Sequence, residues 1–169
     1  MTREGALLVM AGVAVVLVAL GLLAWRRRTR RDGGLVAPVG EAPAGAAELS
    51  VHSVLYVATT RHDEPLERLA IRGLGFRSKA DVVLTDRGMA LDLTGQPRMF
   101  VPASDLLAVD RATVAIDRVV EKDGLARLVW RIGDTVVDTY LRPQDISTGA
   151  LVAAIAEILP APTPTGTDA

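Results

Sequence analysis

Gly5 to Trp25 is a run of 21 residues without a charge, bounded by Glu4 and Arg26. Wound as a helix at about 1.5 Å per residue, it spans roughly 31 Å, the thickness of a bilayer's hydrocarbon core. A run this long and apolar predicts a membrane helix, with Trp25 as an interfacial anchor. Gly12 and Gly21 would weaken a soluble helix but are ordinary in a lipid-embedded one. A cleaved signal peptide has its basic residues before a short apolar core. Here the core is long and Arg26, Arg27, Arg28, Arg30 and Arg31 follow it. The expectation is a retained anchor. By the positive-inside rule those arginines stay cytoplasmic, the N-terminus faces out, and the rest of the chain lies inside at the plasma membrane. Residues 1–31 then form the anchor with its basic flank. The bilayer is the first partner.

Residues 32–47, DGGLVAPVGEAPAGAA, are rich in Gly, Ala and Pro and read as a flexible linker. Residues 161–169 read as a disordered tail. Residues 48–160 are left for one independent core. From Leu49 to Pro160 there are 15 acids against 13 bases, and the whole chain carries −1. That balance excludes a basic nucleic-acid module. No cysteine occurs. Disulfides, thiolate metal sites and a cysteine nucleophile are therefore excluded.

The core region shows short strands separated by turns. Leu49–Thr60 is apolar and rich in β-branched residues. Asp81–Thr85 leads through Asp86-Arg87-Gly88, a turn suited to a positive φ at the glycine, into alternating Met89–Leu93. Arg98–Val101 is short and stops at Pro102. Leu106–Ile116 is extended, and Arg118–Glu121 meets the turn Lys122-Asp123-Gly124. Leu125–Ile132 alternates and places Trp130 in the core. Gly133-Asp134 turns the chain into Thr135–Leu141. From Asp145 the spacing changes to that of a helix, with Ile146, Leu151, Val152, Ile155, Ile158 and Leu159 apolar. Asp145 or Ser147 can cap it, and Pro160 ends it. The expected fold is mainly β with one C-terminal helix. A strongly bent sheet or partial barrel is closed by that amphipathic helix and preceded by one transmembrane helix.

This layout is that of a pleckstrin-homology (PH)-like fold. The segments Tyr56–Thr60 (YVATT), Leu74–Ala80 (LGFRSKA), Val83–Met89 (VLTDRGM), Phe100–Pro102 (FVP) and Trp130–Thr139 (WRIGDTVVDT) resemble a family of actinobacterial single-pass membrane proteins. Its members carry a bacterial PH-like domain and are often described as export or membrane proteins. Arginine in place of lysine, with only Lys79 and Lys122, suits a GC-rich bacterial source. The resemblance implies a fold and a topology, and no reaction.

No catalytic, cofactor or metal constellation emerges. His62-Asp63-Glu64 has no second histidine at ligand spacing and reads as a loop before Pro65. Ser50, His52 and Ser53 lack an oxyanion loop. Gly73-Leu74-Gly75 lacks the third glycine and flanking elements of a dinucleotide site, and reads as a sharp loop sending Phe76 into the core. Arg77 and Lys79 beside it are candidates for binding lipid head groups. The chain is expected to be no enzyme and to bind no cofactor. It reads as a membrane-anchored scaffold holding a protein partner by a sheet edge or rim loops. The alternatives are anionic-lipid recognition, or an accessory role in a transport or export assembly.

Overall fold

The computed structural model describes residues 3–115, 118–119 and 123–160. They divide into two compact units, one on either side of the Gly34–Leu35 bond. The expected disordered tail, 161–169, lies outside the described residues, as do 116–117 and 120–122, which include the ends of two expected strands and Lys122 of the expected turn.

The first unit is one helix, α1 (Arg3–Asp32). Its stretch Leu7–Arg27 is long and apolar enough to cross a bilayer, and none of it is buried against protein. A helix exposing Leu8, Val15, Leu17 and Leu20 all round has no polar face to give water.

Among the described residues, the second unit holds ten strands: β1 (Glu48–Arg61), β2 (Glu64–Arg68), β3 (Ser78–Thr85), β4 (Gly88–Leu93), β5 (Met99–Pro102), β6 (Leu106–Ala112), β7 (Val114–Ala115), β8 (Arg118–Val119), β9 (Leu125–Ile132) and β10 (Thr135–Pro143). One helix, α2 (Thr148–Ala156), closes the order. Seven strands run antiparallel in the order β5-β4-β3-β1-β10-β9-β6, β2 adds to the far end of β1, and β7 pairs with β8 separately. The expected mainly β architecture, with its terminal helix, is present.

β1 organises the sheet. Its first half pairs with β3 and its second half with β10. The register shifts between Tyr56 and Ala58. Such an irregularity bends a strand and increases its twist, which lets one strand serve both halves of the sheet. The sequence reading missed β2, because Pro65 and three charged residues hide the pattern.

Tyr56, Thr59, Trp130 and Thr139 put polar groups into the core, and each is satisfied. The Trp130 indole N–H donates to Thr139 Oγ1 at 2.8 Å. Thr139 and Thr59 hydroxyls lie 2.8 Å apart, Thr59 and Tyr56 hydroxyls 3.0 Å apart, and Tyr56 donates to the Leu74 carbonyl at 2.8 Å. An indole can only donate and a carbonyl only accept, so the proton order runs one way from Trp130 to Leu74. Burial pushes the Tyr56 hydroxyl up to about 12, against the hydrogen bond from Thr59 that lowers it.

α2 packs on β6, β9 and β10. Ser147 is its N-cap, accepting from Ala150 N at 3.1 Å. Asp145, the other capping candidate, instead accepts from Ser53 N at 2.9 Å and ties the helix approach to β1. Leu151 and Ile155, one helical turn apart, are fully buried. Each such burial stabilises by about 2 kcal/mol. The helix stops at Ala156, earlier than Pro160 suggests. Its last turn tightens, with Ile158 N and Leu159 N bonding three residues back.

Residues 35–47, which composition reads as a tether, lie along the sheet. Val39 bridges Met99, Phe100 N donates to Pro38 O, and Gly40 N donates to Arg98 O. Ala37 enters the main core beside Leu35, and Ala42 packs on Val83, Ala90 and Phe100. Ala47 and Asp86 exchange two hydrogen bonds. The outer edge of β5 is thus covered by the chain's own approach segment.

Candidate functional site

Two features of the second unit stand out: a pinned loop between β2 and β3, and an uncovered strand edge.

The loop spans residues 69–77. Leu69, Ile71 and Leu74 are buried and serve as its pegs. Arg68 donates to Gly75 O at 3.0 Å and Val57 O at 2.7 Å, and Tyr56 holds the Leu74 carbonyl. Gly73 turns the chain at φ +89°, a conformation natural to glycine. With Leu74 taken inward, Phe76 is thrown outward and is 85% exposed. This corrects the expectation that Phe76 enters the core; the Gly-Leu-Gly turn delivers Leu74 instead.

The structure places Arg77 and Lys79 on two different clefts. Arg77 lines one of about 590 Å³ with Arg72, Phe76, Ser78 and Gln96. Among the described residues, no carboxylate lines it. The Ser78 hydroxyl there is buried without a hydrogen-bond partner among the described residues. Lys79 lines a neighbouring cleft of about 630 Å³ with Ser53, Asp81, Asp92 and Gln144. Two carboxylates dilute its charge. Other arginines are engaged: Arg98 forks onto Asp92, with bonds of 2.7 and 2.6 Å, and Arg127 forks onto Asp110. Those carboxylates hold both guanidinium groups firmly charged. Of the flanking arginines, Arg26, Arg27 and Arg30 are exposed on α1. The side chains of Arg28 and Arg31 lie outside the described residues.

The uncovered edge belongs to β6. One side pairs with β9. No backbone hydrogen bond reaches its other side among the described residues. Leu107 and Arg111 stand exposed along it.

His62 comes together with Asp138, which the linear sequence could not pair with it. Their side chains meet at 2.7 Å, with Asp63 at the rim. The three could offer ligands to a cation. Arg127 Nη1, however, lies 3.6 Å from both Asp63 and Asp138. A guanidinium already supplies the positive charge that the buried Asp138 requires. His52 meets only Ser50, at 3.0 Å, and has no carboxylate beside it among the described residues.

The profile of the bacterial PH domain-like family matches residues 36–156. The chain belongs to that family. The match begins at Val36, so the segment covering β5 is part of the PH-like domain. No curated protein matches the chain. Among solved structures, it resembles the C-terminal domain of an unknown protein from Leishmania infantum. The two share 10% identity, the likeness covers 68% of this chain and 86% of that one, and the TM-score is 0.44. PH-like domains are typically binding modules rather than catalysts, and no enzyme family matches.

Proposed function

We propose that the chain is a membrane-anchored scaffold whose PH-like domain holds a protein partner at the inner face of the plasma membrane. The observation that carries this is the outer edge of β6, which has no backbone partner among the described residues. An extended segment of a partner adds there as a further strand, taking its affinity from main-chain hydrogen bonds. α1 is the retained anchor, with the N-terminus outside. Arg26, Arg27, Arg28, Arg30 and Arg31 hold the domain on the cytoplasmic side.

The test is affinity capture of the full chain from detergent-solubilised native membranes. A reproducible partner is expected with the natural chain and is lost with Leu107→Lys, which disfavours strand pairing at the edge. A partner that survives this change, or no partner with the domain folded, overturns the reading.

A second reading is recognition of anionic lipid head groups by Arg77 and Lys79. Arg77, which has no ion-pair partner among the described residues, and the buried Ser78 hydroxyl favour it. Flotation of the domain with anionic vesicles at low salt tests it, and failure to bind removes it.

A further inference from the structure

Val36, Val39 and Phe76 are exposed by 72, 62 and 85% on the surface of the PH-like domain. They do not stand singly. Val36, Val39, Pro97 and Met99 border a small hollow of about 140 Å³, most of whose lining is apolar. Arg72, Gly73 and Gln96 line both this hollow and the basic cleft of Phe76 and Arg77. The two therefore form one continuous face. It combines exposed apolar side chains, two guanidinium groups without partners among the described residues, and no carboxylate in either lining. Apolar residues rimmed by unpaired cations suit the surface of an anionic bilayer, where the former enter the acyl boundary and the latter meet phosphates.

The chain between the apolar segment and this face is short. From Trp25 to Asp32 the chain is helical and rises about 10 Å. From Asp32 to Val36, four residues extend at most about 14 Å. The whole tether is then about 25 Å, whereas a domain of this size is roughly 35 Å across. A tether shorter than the domain's width cannot wrap around it. The tether keeps Val36 within about 25 Å of the end of the apolar segment, a reach that lets this face meet the same bilayer. From this we infer that the face formed by Val36, Val39, Phe76, Arg72 and Arg77 docks on the anionic bilayer that holds α1, leaving the β6 edge for the partner. The inference rests on reading α1 as a retained anchor. It needs no recognition of a particular head group.

The absence of cysteine makes the test direct. The full chain is reconstituted into phosphatidylcholine vesicles containing phosphatidylglycerol. An environment-sensitive fluorophore is placed at Gln96→Cys, within the face, or at Leu107→Cys, on the β6 edge. Quenching by acyl-chain-attached quenchers is expected to be several-fold stronger at position 96. Adding Phe76→Ser and Val39→Ser should lower it to the level at 107, and omitting the anionic lipid should weaken it. Both serine changes lie at exposed positions and leave the core intact. Equal quenching at 96 and 107, in a chain that floats with vesicles after carbonate washing, overturns the inference and leaves the anchor standing. That is also the outcome if this face serves a protein instead. A chain stripped off by carbonate overturns the anchor and the inference together.

Discussion

The two outer strands of the sheet are treated differently. β5 is covered by residues 35–47, which supply backbone partners to Phe100 and Arg98 and bury Ala37. β6 has α2 packed nearby but receives no backbone bond along its outer side among the described residues. An open strand edge is a template for further pairing and an aggregation hazard unless blunted. One edge is therefore closed by the chain itself. The contrast separates a structural use of extended backbone from an available one.

A charge on the covered side should break the contrast most severely. Ala37→Asp places a carboxylate in the main core without a partner and is expected to cost about 3 kcal/mol. The matching change on the open edge, Leu107→Asp, should stay within about 0.5 kcal/mol, because the side chain remains in water. Urea unfolding of the two variants measures both, and equal losses would erase the distinction.

The core shared by both edges is tested next. Thr139→Val removes the hydroxyl joining Trp130 to Thr59 and leaves a buried indole N–H unpaired. The expected loss is about 2 kcal/mol, read from the urea midpoint at unchanged slope. Alkali probes the same chain of bonds. The folded Tyr56 ionises near 12, whereas an unfolded tyrosine ionises near 10. Below pH ~10 both states are protonated, and the contribution is fully present. Between about 10 and 12 only the unfolded state loses its proton. Stability should therefore fall with rising pH by about 1.4 kcal/mol per unit from this residue. Tyr140, also raised first by burial and then by Asp138, acts in the same direction. Tyr56→Phe should flatten that slope in alkaline unfolding curves.

The smallest effect is expected at the exposed loop. Phe76→Ser should change stability by no more than about 0.5 kcal/mol, seen as an unchanged melting curve. A larger loss would mean that Phe76 packs after all and would remove it from the exposed face.

Much of this architecture is legible one element at a time. The period-2 alternation of Leu125–Ile132 marks a strand, and the turn at Asp86-Arg87-Gly88 marks the next. Gly88 adopts φ +149°, and an added Cβ would meet Val101 O at 2.3 Å, so this glycine is required by close backbone approach. Trp130 is buried as its alternation predicts. β2 escaped, because Pro65 and its charged neighbours have weak strand propensity and form a strand only by pairing with β1. Phe76 was misplaced because large aromatics usually supply core volume, while the loop had already filled that space with Leu74.

The candidate sites were less legible still. Arg77 and Lys79 stand two residues apart, yet they line different clefts. Their environments come from Arg72 and Gln96 on one side, and from Asp81 and Asp92 on the other. Val36 and Val39 sit in a stretch whose glycines and prolines suggest a tether. Local composition measures how freely a chain can move, and says nothing of the edge that captures it.

By itself, the sequence determined an apolar helix long enough to cross a bilayer, a β-rich domain after it, and a helix closing that domain. Those properties follow from composition and from periods of 2 and 3.6 residues, which are local. Only the tertiary structure decided that β1 serves both halves of the sheet, that 35–47 closes the β5 edge, and that β6 has an outer side free of backbone bonds among the described residues. These depend on contacts between residues tens of positions apart, where pairing and packing outweigh local preference.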